Sequence, residues 1–174
     1  LAAVQVVVWS RLEEDIITVS APVGGRTQPE LEDLVGCFVH GMLFPTTMTG
    51  DPTFIELVGR VRDGLRDALE HQNMPLLEIA KIQEFATVNG MGTQGIALEW
   101  SDQDVSAVEL PGRSGTVWAG PWWPRRLGQV DMPPADLFVY PHRSPVNRGI
   151  DGEFMYNSAR FDRPEIESVF EQLR

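Results

Sequence analysis

Residues 15–23, Asp15-Ile16-Ile17-Thr18-Val19-Ser20-Ala21-Pro22-Val23, decide how the rest of the chain is read. Ile16, Ile17, Val19 and Val23 give the segment the apolar content of a strand, and Pro22 followed by Gly24-Gly25 ends it. The pattern is mixed rather than strictly alternating, as expected of a strand covered on both faces. Such a strand calls for helices packed on its sheet, and the flanking sequence supplies candidates on either side.

Upstream, Val6–Trp9 has β-branched strand character and reads equally as the buried end of a helix. Downstream, Thr27-Gln28-Pro29-Glu30 predicts a helix start, with Thr27 as cap, Pro29 in the first turn and Glu30 at the reciprocal capping position. Leu31, Leu34 and Val35 form its expected inner face. Gly36 and Gly41 then bracket Cys37-Phe38-Val39-His40, which predicts a short helix, a tight passage and a strand through Met42-Leu43-Phe44.

The clearest periodicity begins at Asp51-Pro52, where Asp51 is the expected cap. Phe54, Leu57, Val58, Val61, Leu65, Ala68 and Leu69 recur every three or four residues and predict a helix with one buried stripe. Gly64 inside it is expected where another backbone comes close, and His71 is expected to end it in a structural role. Pro75 starts a shorter helix with Leu76, Leu77, Ile79 and Ile82. Strands are expected at Ile96–Trp100, Ala135–Tyr140 and Gly152–Tyr156, and a last helix at Asp162, with Glu165 in the reciprocal capping position. Ile166, Val169, Phe170 and Leu173 give that helix its apolar face. The order predicts an α/β fold with a mixed central sheet and flanking helices.

Residues 101–132 carry Trp118, Trp122 and Trp123 among many Gly and Pro residues, too long a stretch for an ordinary connector. It reads as a flap whose indoles cover the domain's own core, or as a contact with another subdomain or partner.

At 174 residues the chain is one domain's worth of sequence, and its 14 Lys and Arg against 25 Asp and Glu leave a net charge of −11. That field repels a nucleic-acid backbone, so no nucleic-acid partner is expected. Cys37 is the only cysteine, which excludes an intrachain disulfide and points to a reducing compartment, with a cytoplasmic location expected. The longest apolar run, around Ala2–Trp9, is far short of the roughly 20 residues of a membrane span. A chain beginning at Leu1 is expected to be part of something longer.

Chemistry-bearing motifs are sparse. His40, His71 and His142 are the only histidines, and none lies three or four residues from another. His142 is expected in a surface loop, and no metal site is expected. Gly112-Arg113-Ser114-Gly115 is too short for a nucleophile elbow. Asp102 and Asp104 have no periodic element to fix them around a scissile bond.

Several segments, in order, resemble the second, C-terminal half of a nonribosomal peptide synthetase condensation domain. Residues 15–26 are similar to that family's strand and following Gly-Arg turn, which ends here in Gly25-Arg26. Gly36-Cys37-Phe38-Val39-His40 resembles its GxFVN segment with His40 in place of Asn, and Phe44-Pro45-Thr46 departs from the ending that usually follows. His71-Gln72-Asn73-Met74-Pro75-Leu76-Leu77-Glu78 resembles HQDxPFE, altered at Asn73 and Leu77. Residues 152–157 with Arg160-Phe161-Asp162 resemble the GxxxYN and LFD ending. RDxSRNPLF survives only as Asn89-Gly90 and Ile96-Ala97-Leu98, and HHxxxDG has no counterpart.

The resemblance implies a chloramphenicol acetyltransferase-like half-domain over residues 1–174, with a latch in the region of Trp118, Trp122 and Trp123. It gives Gly25, Arg26, His40, His71, Gln72 and Asn73 structural or tunnel-floor roles, with the neighbourhood of residues 24–28 leading to the tunnel floor. It implies as partners an N-terminal condensation subdomain and peptidyl carrier proteins, whose phosphopantetheine arms present the acyl or aminoacyl thioester substrates. No directly bound cofactor and no membrane partner are implied. Amide formation would then need a histidine motif from another segment. The alternatives are a noncatalytic carrier-binding or recruitment domain and an acetyltransferase-like enzyme whose site forms across an oligomer.

Overall fold

The computed structural model describes residues 1–12, 14–74, 95–100, 135–144 and 149–173. Within them the chain runs α1 (Ala2–Leu12), β1 (Ile16–Val23), a 3-10 turn (Pro29–Leu31), β2 (His40–Thr47), α2 (Phe54–Glu70), β3 (Ile96–Leu98), β4 (Leu137–Arg143), β5 (Ile150–Tyr156) and α3 (Arg163–Leu173). The strands form one mixed sheet in the order β2-β1-β3-β4-β5. Its central pairs, β1 with β3 and β3 with β4, are parallel, while β2 and β5 pair antiparallel at the flanks. Because Val23 pairs with His40, the end of β1 and the start of β2 meet at one edge of the sheet.

The helices share one face. Val4 and Val8 of α1, Leu57 and Val61 of α2 and Ile166 of α3 join Ile17, Val19, Ile96, Leu137 and Val139 in a single buried cluster. The opposite face holds a smaller cluster of Ala97, Ala135, Phe138 and Tyr140, with Met155 packed against it. The expected cover on both faces of residues 15–23 is only partial: β1 buries Ile17 and Val19 on the helix-covered face, while Ile16, Thr18 and Ser20 between and beside them are half-buried and none of them joins the second cluster.

The open reading of Val6–Trp9 resolves to helix. Valines are poor helix formers, so tertiary contacts have to hold α1 in place. Gln5 does this from a fully buried position: its Nε2 donates to the carbonyl oxygens of Ile17 (3.2 Å) and Phe44 (3.1 Å), fastening α1 to both strands of the β1–β2 hairpin.

Two expected starts are corrected. Residues 27–35 form only the short 3-10 turn, Gln28 rather than Thr27 stands at its cap position, and Leu34 and Val35 face solvent. The Arg26 side chain is the reason, since it takes up the loop's carbonyl groups at Leu31, Leu34 and Gly36. In α2 the cap is Thr53, not Asp51, which adopts a positive φ of 48°. Thr53 Oγ1 accepts from the Glu56 N–H (3.3 Å), and the Glu56 carboxylate accepts from the Thr53 N–H (2.8 Å). The buried stripe of α2 is also narrower than its periodicity suggests, because Phe54, Val58 and Leu65 remain exposed.

In the last helix Ile166 and Val169 are buried as expected, but Phe170, expected on the same apolar face, is exposed. Gly64 sits where α2 crosses β2, and a Cβ there would lie 3.7 Å from the Pro45 carbonyl oxygen. Asp162 and Glu165 form the reciprocal cap of α3 at 2.9 and 2.8 Å. His142 is corrected from loop to strand: it lies within β4, opposite Asp151, with its ring 6.0 Å from that of Tyr140. The expected helix at Leu76–Ile82 and the region of Trp118, Trp122 and Trp123 lie outside the described residues.

Candidate functional site

The sheet edge where β1 ends and β2 begins is built from glycine outward. Gly25 has φ of 65°, and a Cβ on it would approach the Phe38 carbonyl oxygen to 2.1 Å. Only glycine both adopts that backbone and leaves room for the strand that returns beside it. Arg26 follows, an exposed residue whose guanidinium turns onto the loop's carbonyl groups. It donates to the carbonyl oxygens of Leu31, Leu34 (2.9 Å) and Gly36 (3.2 Å), and lies 4.4 Å above the Phe38 ring.

His40 opens β2 and reaches in two directions. Its Nδ1 lies 3.3 Å from the Phe38 carbonyl oxygen and its Nε2 lies 2.6 Å from the Gln72 carbonyl oxygen. A carbonyl only accepts, so the short contact puts a proton on Nε2. Gln72 belongs to the turn that ends α2, where its side-chain amide donates to the Leu69 carbonyl (3.0 Å). Beside it, Thr27 Oγ1 donates to Asn73 Oδ1 at 3.5 Å.

Gly25, His40 and Gln72 are thus brought together, with Arg26 and Asn73 on their flanks. His71 is not part of the junction. It is the C-cap of α2, its N–H donates to the Ala68 carbonyl, and its Nδ1 lies 2.9 Å from the Asp67 carbonyl oxygen. Its ring therefore holds the preceding turn, not the following one. The three tryptophans lie outside the described residues.

The tail segment is a second organised region, and sequence reasoning missed its anchor. Asp136, just before β4, accepts from Asn157 Nδ2 at 3.2 Å and pairs with Arg160 Nη1 at 3.3 Å. Asn157 in turn accepts at its side-chain oxygen from the Ala159 N–H, at 3.0 Å. The resemblance at Asn157 and Arg160–Asp162 therefore corresponds to a turn fastened to β4 and leading into α3.

What this arrangement can do chemically is hold three segments in register. His40 has backbone oxygens at both ring nitrogens and His71 has one at Nδ1, so neither ring is oriented by a carboxylate as a proton-transfer group would be. No cluster of three or more His, Cys, Asp or Glu side chains suited to a metal occurs among the described residues. No helix among them is long and apolar enough to cross a membrane.

Residues 1–90 match the family model described as Condensation domain. Isonitrile lipopeptide synthase of Mycobacterium tuberculosis is 28% identical over 163 residues, 91% of this chain and 6% of that protein. Malpinin synthetase of Mortierella alpina is 27% identical over 155 residues, 88% of this chain and 2% of that protein. Among solved structures, the X-domain from teicoplanin biosynthesis aligns with a TM-score of 0.71 and 23% identity, covering 99% of this chain and 38% of the other. The SgcC5 protein from Streptomyces globisporus aligns with a TM-score of 0.68 and 25% identity, covering 99% and 39%. The chain spans a small part of these synthetases and under two-fifths of the solved chains. The likeness bears out the mixed α/β, chloramphenicol acetyltransferase-like fold. With the family model covering more than half of its residues, the chain belongs to the condensation domain family of nonribosomal peptide synthetases.

Proposed function

We infer that this chain is the C-terminal half of a condensation domain, supplying one wall of the tunnel and a carrier-protein surface for amide bond formation. The observation that carries this reading is the His40–Gln72 contact, which joins the family-like segments after β1, before β2 and after α2 at one edge of the sheet. In the reaction, the amine of one carrier-bound substrate attacks the thioester carbonyl carbon of another. The carbon–sulfur bond breaks, the thiol leaves on its phosphopantetheine arm, and the amine gives up a proton. Neither His40 nor His71 is oriented by a carboxylate to take that proton, and HHxxxDG has no counterpart in this sequence, so this reading assigns the base to another segment of the domain.

Helix α2 offers the carrier surface. Ile55, Val58 and Leu65 are exposed along one stripe, and beside them Arg62 and Arg66 pair with the exposed Asp63 carboxylate at 3.0 and 3.6 Å, a solvent-exposed pairing that an acidic helix with apolar contacts would share. Incubating donor-loaded and acceptor-loaded carrier proteins with the complete domain, or with the 174-residue chain alone, tests the inference by the mass of the acceptor. Amide product is expected from the domain and none from the chain alone. Product from the chain alone would contradict it. A second reading, a noncatalytic recruitment domain, is favoured by the departures at His40, Asn73 and Leu77. Carrier binding without product from the complete domain would select it.

A further inference from the structure

The sheet is not held equally along its seams. β1 pairs with β2 over its whole length, from Ile16 opposite Thr47 to Val23 opposite His40, and β4 pairs with β5 from Leu137 opposite Tyr156 to Arg143 opposite Ile150. Between these ladders, β1 meets the three-residue β3 at one pair among the described residues, Ser20 opposite Ala97. The sequence stops the ladder there. Because the Leu137 N–H donates to the Gly95 carbonyl and the Glu99 N–H to that of Val139, Gly95 and Glu99 turn their backbone polar groups to β4. By alternation Ile96 and Leu98 turn theirs to β1, where Ser20 lies between them. Pro22, two residues on, faces the same side of β1 and has no N–H to offer Leu98.

Packing follows the same division. On the helix face one buried cluster crosses the seam, joining Ile17 and Val19 to Ile96, Leu137 and Val139. Helix α1 straps that face: Gln5 bonds to β1 and β2, while Arg11 Nη2 donates to Ser168 Oγ (3.1 Å) and Gln172 Oε1 (3.5 Å) of α3. On the opposite face the cluster of Ala97, Ala135, Phe138, Tyr140 and Met155 takes no residue from β1 or β2 among the described residues. The tie on that side is the Ser20 hydroxyl, which donates to the Ile96 carbonyl oxygen at 3.1 Å.

We propose that the seam between β1 and β3 is a hinge within the sheet, with the helix face as its pivot and the Ser20 hydroxyl as its latch. One leaf is built from β1, β2 and α2, the other from β3, β4, β5 and α3. A ladder confined to one residue pair opens at lower cost than the ladders beside it, because local opening is opposed only by the bonds and buried contacts it breaks. The first leaf carries the His40–Gln72 junction and the second the Asp136–Asn157–Arg160 turn, so the hinge changes the spacing of the two organised regions.

Residue-resolved amide exchange of the complete domain tests the hinge, since the Ser20 and Leu98 N–H groups face across the seam while those of Val19 and Tyr140 face β2 and β5. In the unaltered domain Ser20 and Leu98 are expected to be protected at least about tenfold less than Val19 and Tyr140. Ser20→Ala is expected to lower protection at Leu98 by a further factor of about ten and to leave Val19 and Tyr140 within about twofold. Ser20→Thr, which keeps a hydroxyl, restores it. Pro22→Ala returns the missing donor and is expected to raise protection at Leu98 at least about threefold. Equal protection at all four amides of the unaltered domain makes the sheet one unit and overturns the proposal, whether or not the variants fold. So does a Ser20→Ala domain in which all four lose protection together, or in which Leu98 is unchanged. Because exchange is read, not product, the outcome is separate from whether the domain forms an amide.

Discussion

His40 Nε2 lies 2.6 Å from the carbonyl oxygen of Gln72, a residue 32 positions away in sequence. The contact ties the first residue of β2 to the turn that ends α2. It makes a structural unit of two segments whose family resemblance is read separately in sequence. Replacing His40 by Ala leaves the partly buried Gln72 oxygen without this donor and is expected to cost about 1–2 kcal/mol. Chemical unfolding measures it, and unchanged stability would show that the contact contributes nothing.

Two glycines are expected to respond to alanine with opposite signs. Gly25→Ala forces a positive φ on a side chain whose Cβ would meet Phe38 O at 2.1 Å, so a loss of more than about 2 kcal/mol is expected. At Gly64 the same change meets only Pro45 O at 3.7 Å and removes a helix-interior glycine. A gain of about 0.5–1 kcal/mol follows. Matching denaturant curves for the two variants would refute this distinction.

Hydrogen bonds from the Thr53 backbone N–H and hydroxyl hold the Glu56 carboxyl below the usual carboxylate range. The folded state thus binds this proton less readily than the unfolded chain. Its contribution to stability is present above the ordinary carboxyl range and is lost as pH falls through the lowered value. Glu56→Gln is expected to flatten that part of the stability profile. An acid limb as steep as that of the unaltered chain would count against the cap.

The parts legible in sequence are those decided within one turn of chain. Asp162 and Glu165 cap α3 as their spacing indicates, because both partners lie in the same four residues. At α2 the same logic applies with the cap moved to Thr53, since Glu56 is three residues after Thr53 and five after Asp51. The candidate site was legible only as pieces. Nothing local shows that His40 reaches Gln72, that Asp136 anchors Asn157, or that Gln5 turns a valine-rich run into a helix by bonding to β1 and β2. The helix expected from Thr27 fails for a related reason: a side chain at Arg26 takes the carbonyls that a helix would have used.

The most direct measurement is single-turnover amide formation by the complete domain with loaded carrier proteins, for the unaltered sequence and for His71→Ala and His142→Ala, with thermal unfolding recorded alongside. His71 serves as the α2 cap and His142 lies within β4, so both variants should form product within about tenfold of the unaltered rate. A small loss of Tm is expected for His71→Ala, through its bond to Asp67. A fall of several orders of magnitude at unchanged Tm in either variant would place the proton-transfer group in this chain and contradict the assignment, as would a complete domain that binds both carriers and forms no amide.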